Sequence, residues 1–87
     1  MNFEYDPDKS AANLDKHGIA FEEAQALWRD PSRIEIPART ADEPGFLIVG
    51  KIGVKHWSAV VTYRNDSIRI ISVRRARKEA MAIYESG

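Results

Sequence analysis

Five arginines fall in the stretch 64–77: Arg64, Arg69, Arg74, Arg75 and Arg77. A guanidinium offers a planar fork of donors that matches phosphate oxygens, so an arginine run of this density reads as a phosphate grip. The competing reading is that these cations pair with carboxylates in the fold. The charge distribution bears on both. Lys+Arg and Asp+Glu each number 13, so the net charge is zero, yet residues 1–48 hold five basic and ten acidic side chains and residues 49–87 hold eight and three. A small protein polarised in this way can turn one face toward a polyanion while staying neutral overall.

Other chemistries are excluded by what the 87 residues lack. There is no cysteine, which removes disulfides, thiolate zinc sites, iron–sulfur clusters and thiol catalysis. The two histidines and the scattered carboxylates show no metal-ligand spacing, and Gly50 and Gly53 belong to a hairpin rather than to a nucleotide loop. No cofactor is therefore expected. The opening Met-Asn-Phe-Glu-Tyr-Asp has neither a basic nor an apolar signal region, and no apolar run reaches the roughly 18–20 residues of a membrane span. A cytoplasmic protein without membrane contact, folded as a single domain over 1–87, is the expectation.

The elements that must position the arginines follow from local pattern. Phe3-Glu4-Tyr5 alternates as a short strand. Asp6-Pro7 opens a helix, with Ala11, Leu14 and Ala12 toward the core, and Lys16-His17-Gly18 closes it. A second helix spans about Phe21–Trp28 and stops at Asp30-Pro31. Ile34 and Ile36 form a strand ended by Pro37, and Ala38–Pro44 reads as a loop. Phe46–Val49, Lys55–Arg64 and Ser67–Val73 are strands. Arg75–Tyr84 is a final helix whose stripe is Ala76, Ala80, Ile83 and Tyr84. The order β-α-α-β-β-β-β-α predicts an α+β domain, a mostly antiparallel sheet packed on one face by helices.

Asn65-Asp66 reads as a two-residue hairpin turn. Arg64 then opposes Ser67, Tyr63 opposes Ile68, Thr62 opposes Arg69 and Val61 opposes Ile70. Trp57, Ala59, Val61, Tyr63, Ile68 and Ile70 share an apolar face that meets the helices. His56, Ser58, Thr62, Arg64 and Arg69 take the other face, with Val60, Ile71 and Val73 between them. Arg75 and Arg77 at a helix start oppose the macrodipole, and such local conflicts tend to mark functional sites.

Two separated segments resemble one family. Phe3-Glu4-Tyr5-Asp6-Pro7-Asp8-Lys9, Asn13, Lys16-His17-Gly18-Ile19 and Phe21-Glu22-Glu23-Ala24 resemble the N-terminal signature of the BrnT toxins. Ile68-Arg69-Ile70-Ile71-Ser72-Val73-Arg74-Arg75-Ala76, with Glu79 and Tyr84, resembles their C-terminal signature. Val73 stands where alanine is expected, and Ala20 where a Ser or Thr cap is common. The resemblance implies a RelE-like fold and an endoribonuclease toxin of a bacterial type II toxin–antitoxin system that inhibits translation and growth. It also implies a BrnA-like ribbon-helix-helix antitoxin, operator DNA bound only through the complex, and a toxin–antitoxin heterotetramer as one assembly.

Metal-free RNA cleavage needs a group to take the 2′-OH proton, a group to stabilise the phosphorane and a group to protonate the leaving 5′-oxygen. Arg64, Arg69 and Arg74 suit the second task, and His17 and Glu79 suit the other two. Lys9, Lys16, His56, Arg75 and Arg77 are the candidates for holding the RNA strand. Each has a plainer reading. His17 suits the end of a helix, Glu79 suits a surface pair with Arg75, and Lys9 and Lys16 suit a solvated face. Tyr84, Trp28 and Trp57 read as core. A binding module that grips nucleic acid or a ribosome without cutting, and a scaffold for an acidic protein, draw on the same arginines.

Overall fold

In a computed structural model, which describes residues 2–39 and 44–87, nine elements follow the expected α+β order. They are β1 (Asn2–Glu4), α1 (Pro7–His17), α2 (Phe21–Ala24) continued by a 3₁₀ turn (Gln25–Arg29), β2 (Ile34–Arg39), β3 (Pro44–Ile52), β4 (Lys55–Arg64), β5 (Ser67–Arg75) and α3 (Lys78–Ser86). The strands form one sheet in the order β1-β5-β4-β3-β2, antiparallel except where β1 runs parallel to β5. Pro37 does not end β2 but sits within it opposite Phe46, because β2 is an edge strand and the missing N–H breaks no inner ladder. Most of the expected loop between β2 and β3 lies outside the described residues.

Capping sets α1. The Asp6 carboxylate accepts from Asp8 N–H at 2.9 Å, Pro7 takes the first turn, and Gly18 at φ 79° closes the helix by donating to Leu14 C=O at 2.9 Å. Its inward stripe differs from the expectation. Ser10 and Asn13 are the buried residues, while Ala11 and Ala12 are exposed and Leu14 is 46% exposed. The reason is backbone satisfaction. Ser10 Oγ accepts from Phe21 N–H at 2.9 Å, which supplies the cap that Ala20 cannot give α2. Asn13 Nδ2 donates to Ile19 C=O at 2.8 Å and Asn13 Oδ1 accepts from Val73 N–H at 3.1 Å. Three buried main-chain groups therefore find partners in α1 side chains, and an apolar stripe there would leave them unpaired.

The β4–β5 hairpin has the expected register from Arg64↔Ser67 to Val61↔Ile70, with Asn65 at φ 53° in the turn. A bulge between Val60 and Val61 then shifts the pairing. Ser72 opposes Val60, Val73 opposes Ala59, Arg74 opposes Ser58 and Arg75 opposes Trp57. One extra residue reverses the alternation beyond it. Val73, expected on the arginine face, is instead 1% exposed in the core, and Arg74 joins the side of Ser58, Thr62 and Arg64.

The core lies between the α1/α2 layer and one sheet face, and contains Ile19, Phe21, Leu27, Ile48, Val61 and Ile70 among others. Gly50 lets the 3₁₀ turn come close: a Cβ there would lie 3.2 Å from both Leu27 Cδ2 and Asp30 Oδ2. Asp30 Oδ2 uses that approach to accept from Lys51 N–H at 2.8 Å.

The last helix departs from the one-face arrangement. β5 continues through Arg75, Ala76 N–H donates to His56 C=O at 3.0 Å, and α3 begins only at Lys78 with Arg77 as its cap residue. Of the arginines thought to oppose a helix dipole, only Arg77 stands at the helix start. α3 then crosses the face opposite α1 and α2. Tyr84 packs edge-on to the His56 ring at 5.3 Å, and Ala80 and Ile83 border a cleft whose sheet side is Ile36, Leu47 and Ser58. Val49, fully buried yet outside the main core cluster, belongs to this second layer.

Candidate nucleic-acid interface

The face opposite α1 and α2 has two zones. Toward the β4–β5 turn, Arg64, Arg69 and Ser72 face outward from neighbouring strands, with Thr62 buried on the same side. Toward the other end, Arg74 opposes Ser58 and meets the start of α3. Arg69 and Arg74 are roughly 15 Å apart along β5, given about 3.3 Å per strand residue. Arg69 Nη1 lies 3.5 Å from Glu4 Oε2 across the β1–β5 ladder, and both side chains remain partly exposed, so the pair is held but reachable. Arg74 Nε donates to Arg75 C=O at 3.3 Å.

A cleft of about 350 Å³ lies between α3 and the sheet. Its walls are Ile36, Leu47, Ala80 and Ile83, and its exposed rim is Arg74, Arg77 and Glu79. Ser58 lies among the lining residues at 5% exposure. Its hydroxyl, like that of Thr62, is buried without a hydrogen-bond partner among the described residues. No side chain caps the N-terminus of α3, whose cap residue Arg77 and first-turn Glu79 stand at the same rim.

The other expected site residues separate from this cluster. Arg75 points to the opposite face, with Cζ 5.5 Å over the Trp57 ring and Nε donating to His56 C=O at 3.4 Å. It is not on α3, so the surface pair with Glu79 does not arise. His56 is on the arginine face, but its side chain is 12% exposed and its Nε2 lies 2.6 Å from Glu85 Oε2 under the end of α3. His17 continues the inward stripe of Ser10 and Asn13 at the end of α1, and Lys9 and Lys16 are exposed on that helix. All three belong to the layer across the sheet. Trp28 and Trp57 are packed, Trp28 edge-on to Phe3 at 4.9 Å. Ser58 had no signal in the sequence, since a serine in an alternating strand looks like any solvent-facing residue.

Tyr84, expected in the core, is half-buried outside the core cluster. Its hydroxyl donates to Asp30 Oδ2 at 2.7 Å and ties the end of α3 to the 3₁₀ turn. This hydrogen bond, with lesser help from burial and the Asp30 charge, pushes Tyr84 up to about 12. Burial alone would raise the Asp30 carboxyl, but Tyr84, the Lys51 and Ser32 N–H groups and Arg33 outweigh it and hold it below its ordinary value. On the opposite face, burial and a hydrogen bond to Glu35 raise Tyr63 to about 12.

Among the described residues no three His, Asp or Glu side chains converge as a metal ion requires, and no helix is long and apolar enough to cross a membrane. Compared with known families, residues 5–79 match the family described as the ribonuclease toxin, BrnT, of type II toxin–antitoxin systems. No curated protein matches the chain.

Proposed function

Because the chain belongs to the BrnT family of ribonuclease toxins of type II toxin–antitoxin systems, we propose that it cuts RNA without a metal ion on the sheet face that carries Arg64, Arg69 and Arg74. The observation that carries this reading is the bulge at Val60/Val61, which brings Arg74 onto the side of Arg64 and Arg69 and beside Arg77 and Glu79.

The strand runs along β5 with its phosphates on Arg64, Arg69 and Arg74. Glu79 takes the 2′-OH proton as the 2′-oxygen attacks phosphorus. Arg74 and Arg77 stabilise the charge that develops on the non-bridging oxygens, the role in which fixed cations do most for catalysis. The bond from phosphorus to the 5′-oxygen breaks, water protonates that oxygen, and the products are a 2′,3′-cyclic phosphate and a 5′-hydroxyl. His17 has no part on this face, because α1 lies across the sheet from it. Cleavage of cellular RNA then inhibits translation and growth. The family implies a protein antitoxin. In this reading it is a BrnA-like ribbon-helix-helix protein that covers the arginine face, assembles with the toxin as a heterotetramer and alone contacts operator DNA. The cytoplasm is the compartment in which such a toxin meets its RNA.

The test is incubation of the purified chain with end-labelled RNA in EDTA. Cleavage should persist in the wild type and fall by about 10²-fold in Arg74→Ala and in Arg69→Ala, the scale reported for loss of one charge-stabilising donor, with melting temperatures little changed. Full activity in both variants would remove the face from the mechanism. A second reading, binding without cutting, draws on the occupation of His56 by Glu85 and the remoteness of His17, which leave no histidine ready on this face. It predicts intact RNA at saturating protein.

A further inference from the structure

The nuclease reading concerns the phosphate chain and says nothing about bases. The cleft beneath α3 does. Its walls are aliphatic, its rim carries two guanidiniums, and behind the walls sits a buried serine hydroxyl with no partner among the described residues. An apolar slot with a polar group at its floor suits a flat ligand whose faces are apolar and whose edge makes hydrogen bonds. An unstacked nucleobase has that shape and chemistry, and single-stranded RNA is read by splaying bases out of the strand. An acidic peptide side chain would satisfy Arg74 and Arg77 but would bring no polar edge past Leu47 and Ile36 to Ser58. The uncapped N-terminus of α3 at the rim adds free N–H groups where the phosphate of the same nucleotide would lie. No residue of α3 is fully buried, so the helix closes the cleft only in part.

We propose that this cleft is a nucleotide subsite, in which one unstacked base of the RNA packs between Leu47 and Ile83 and reaches Ser58, while its phosphate rests between Arg74, Arg77 and the first turn of α3. The subsite deepens the nuclease reading by assigning the enzyme a base-reading element, and it rests on RNA being the ligand of this face.

Trinucleotides with methylated 2′-hydroxyls cannot be cut, so they test the subsite apart from the chemistry. Five would be used, four differing in the central base and one with an abasic sugar there, each titrated into the full chain with methyl-detected NMR. The base-bearing compounds should shift the Ile36, Leu47 and Ile83 methyl signals and bind at least tenfold more tightly than the abasic one. Ser58→Ala should alter the ranking of the four bases by threefold or more. Ala80→Met, which fills the slot, should shrink the gap to the abasic compound. Equal affinity for abasic and base-bearing compounds, or methyl signals that stay in place, would overturn the subsite. Methyl shifts that the antitoxin produces and none of the trinucleotides does would overturn it too, and would make the cleft a protein-docking groove. Loss of the nuclease reading leaves a different signature: no cleavage of labelled RNA, with the base-dependent shifts intact.

Discussion

The two faces of the sheet are finished differently. On one, α1, α2 and the 3₁₀ turn seal Phe21, Leu27, Ile48 and Ile70 completely, and the buried polar residues of α1 pair with main chain. On the other, α3 covers only part of the surface, buries no residue of its own fully, and leaves the Ser58 and Thr62 hydroxyls without partners among the described residues. A closed face stabilises the fold. An incompletely satisfied one keeps binding capacity in reserve, because each unpaired buried group gains more from a ligand than a paired one would.

The contrast is sharpest in a pair of leucines. Leu27→Ala should lower unfolding free energy by about 2–5 kcal/mol, read from denaturant melts, whereas Leu47→Ala, half-buried beside the open cleft, should cost less than half as much. Equal losses would mean that α3 seals its face as tightly as α1 and α2 seal theirs. Next in size is Asn13→Ala, which strands the Ile19 carbonyl and the Val73 amide; about 1–3 kcal/mol is expected. Hydrogen exchange at Val73 should rise in this variant, and an unchanged rate there would show that the bulge holds without α1.

Acid should act on the tether of α3. Asp30 has a folded pKa below its ordinary 3.8, so its interactions add stability that is present above that value and is lost as pH falls through the lowered one. Tyr84→Phe removes the strongest of the interactions that lower it. The melting-temperature gap between wild type and Tyr84→Phe should therefore be open at neutral pH and narrow below about pH 4. A gap that is constant with pH would separate Asp30 from the tether. The smallest effect belongs to Glu85→Gln. Glu85 is 57% exposed, and loss of its pairing with His56 should cost less than about 1 kcal/mol, with faster exchange confined to the last turn of α3.

Much of the candidate site could be read in the chain. The Asn65-Asp66 turn and period-two alternation put Arg64 and Arg69 on one face, and that register holds in the structure as far as Ile70. Glu79 was marked by its place beside the arginines. Arg74 was singled out by type, but its face depended on the bulge, which nothing in Ile70-Ile71-Ser72 announces. Ser58, and the separation of Arg75 and His17 from the cluster, had no local signature at all.

The sequence by itself determined the order of the elements, the α1 boundaries, the hairpin register near its turn and the density of guanidinium groups, because caps, turns and alternation act over a few residues. Only the tertiary structure decided which sheet face α3 crosses, why Ser10 and Asn13 rather than Leu14 turn inward, and where the alternation reverses. Each of those depends on a partner distant in the chain: Val73 for Asn13, Phe21 for Ser10, Asp30 for Tyr84. Main-chain groups that must be paired, and strands that must register, choose such partners only once the whole sheet is assembled.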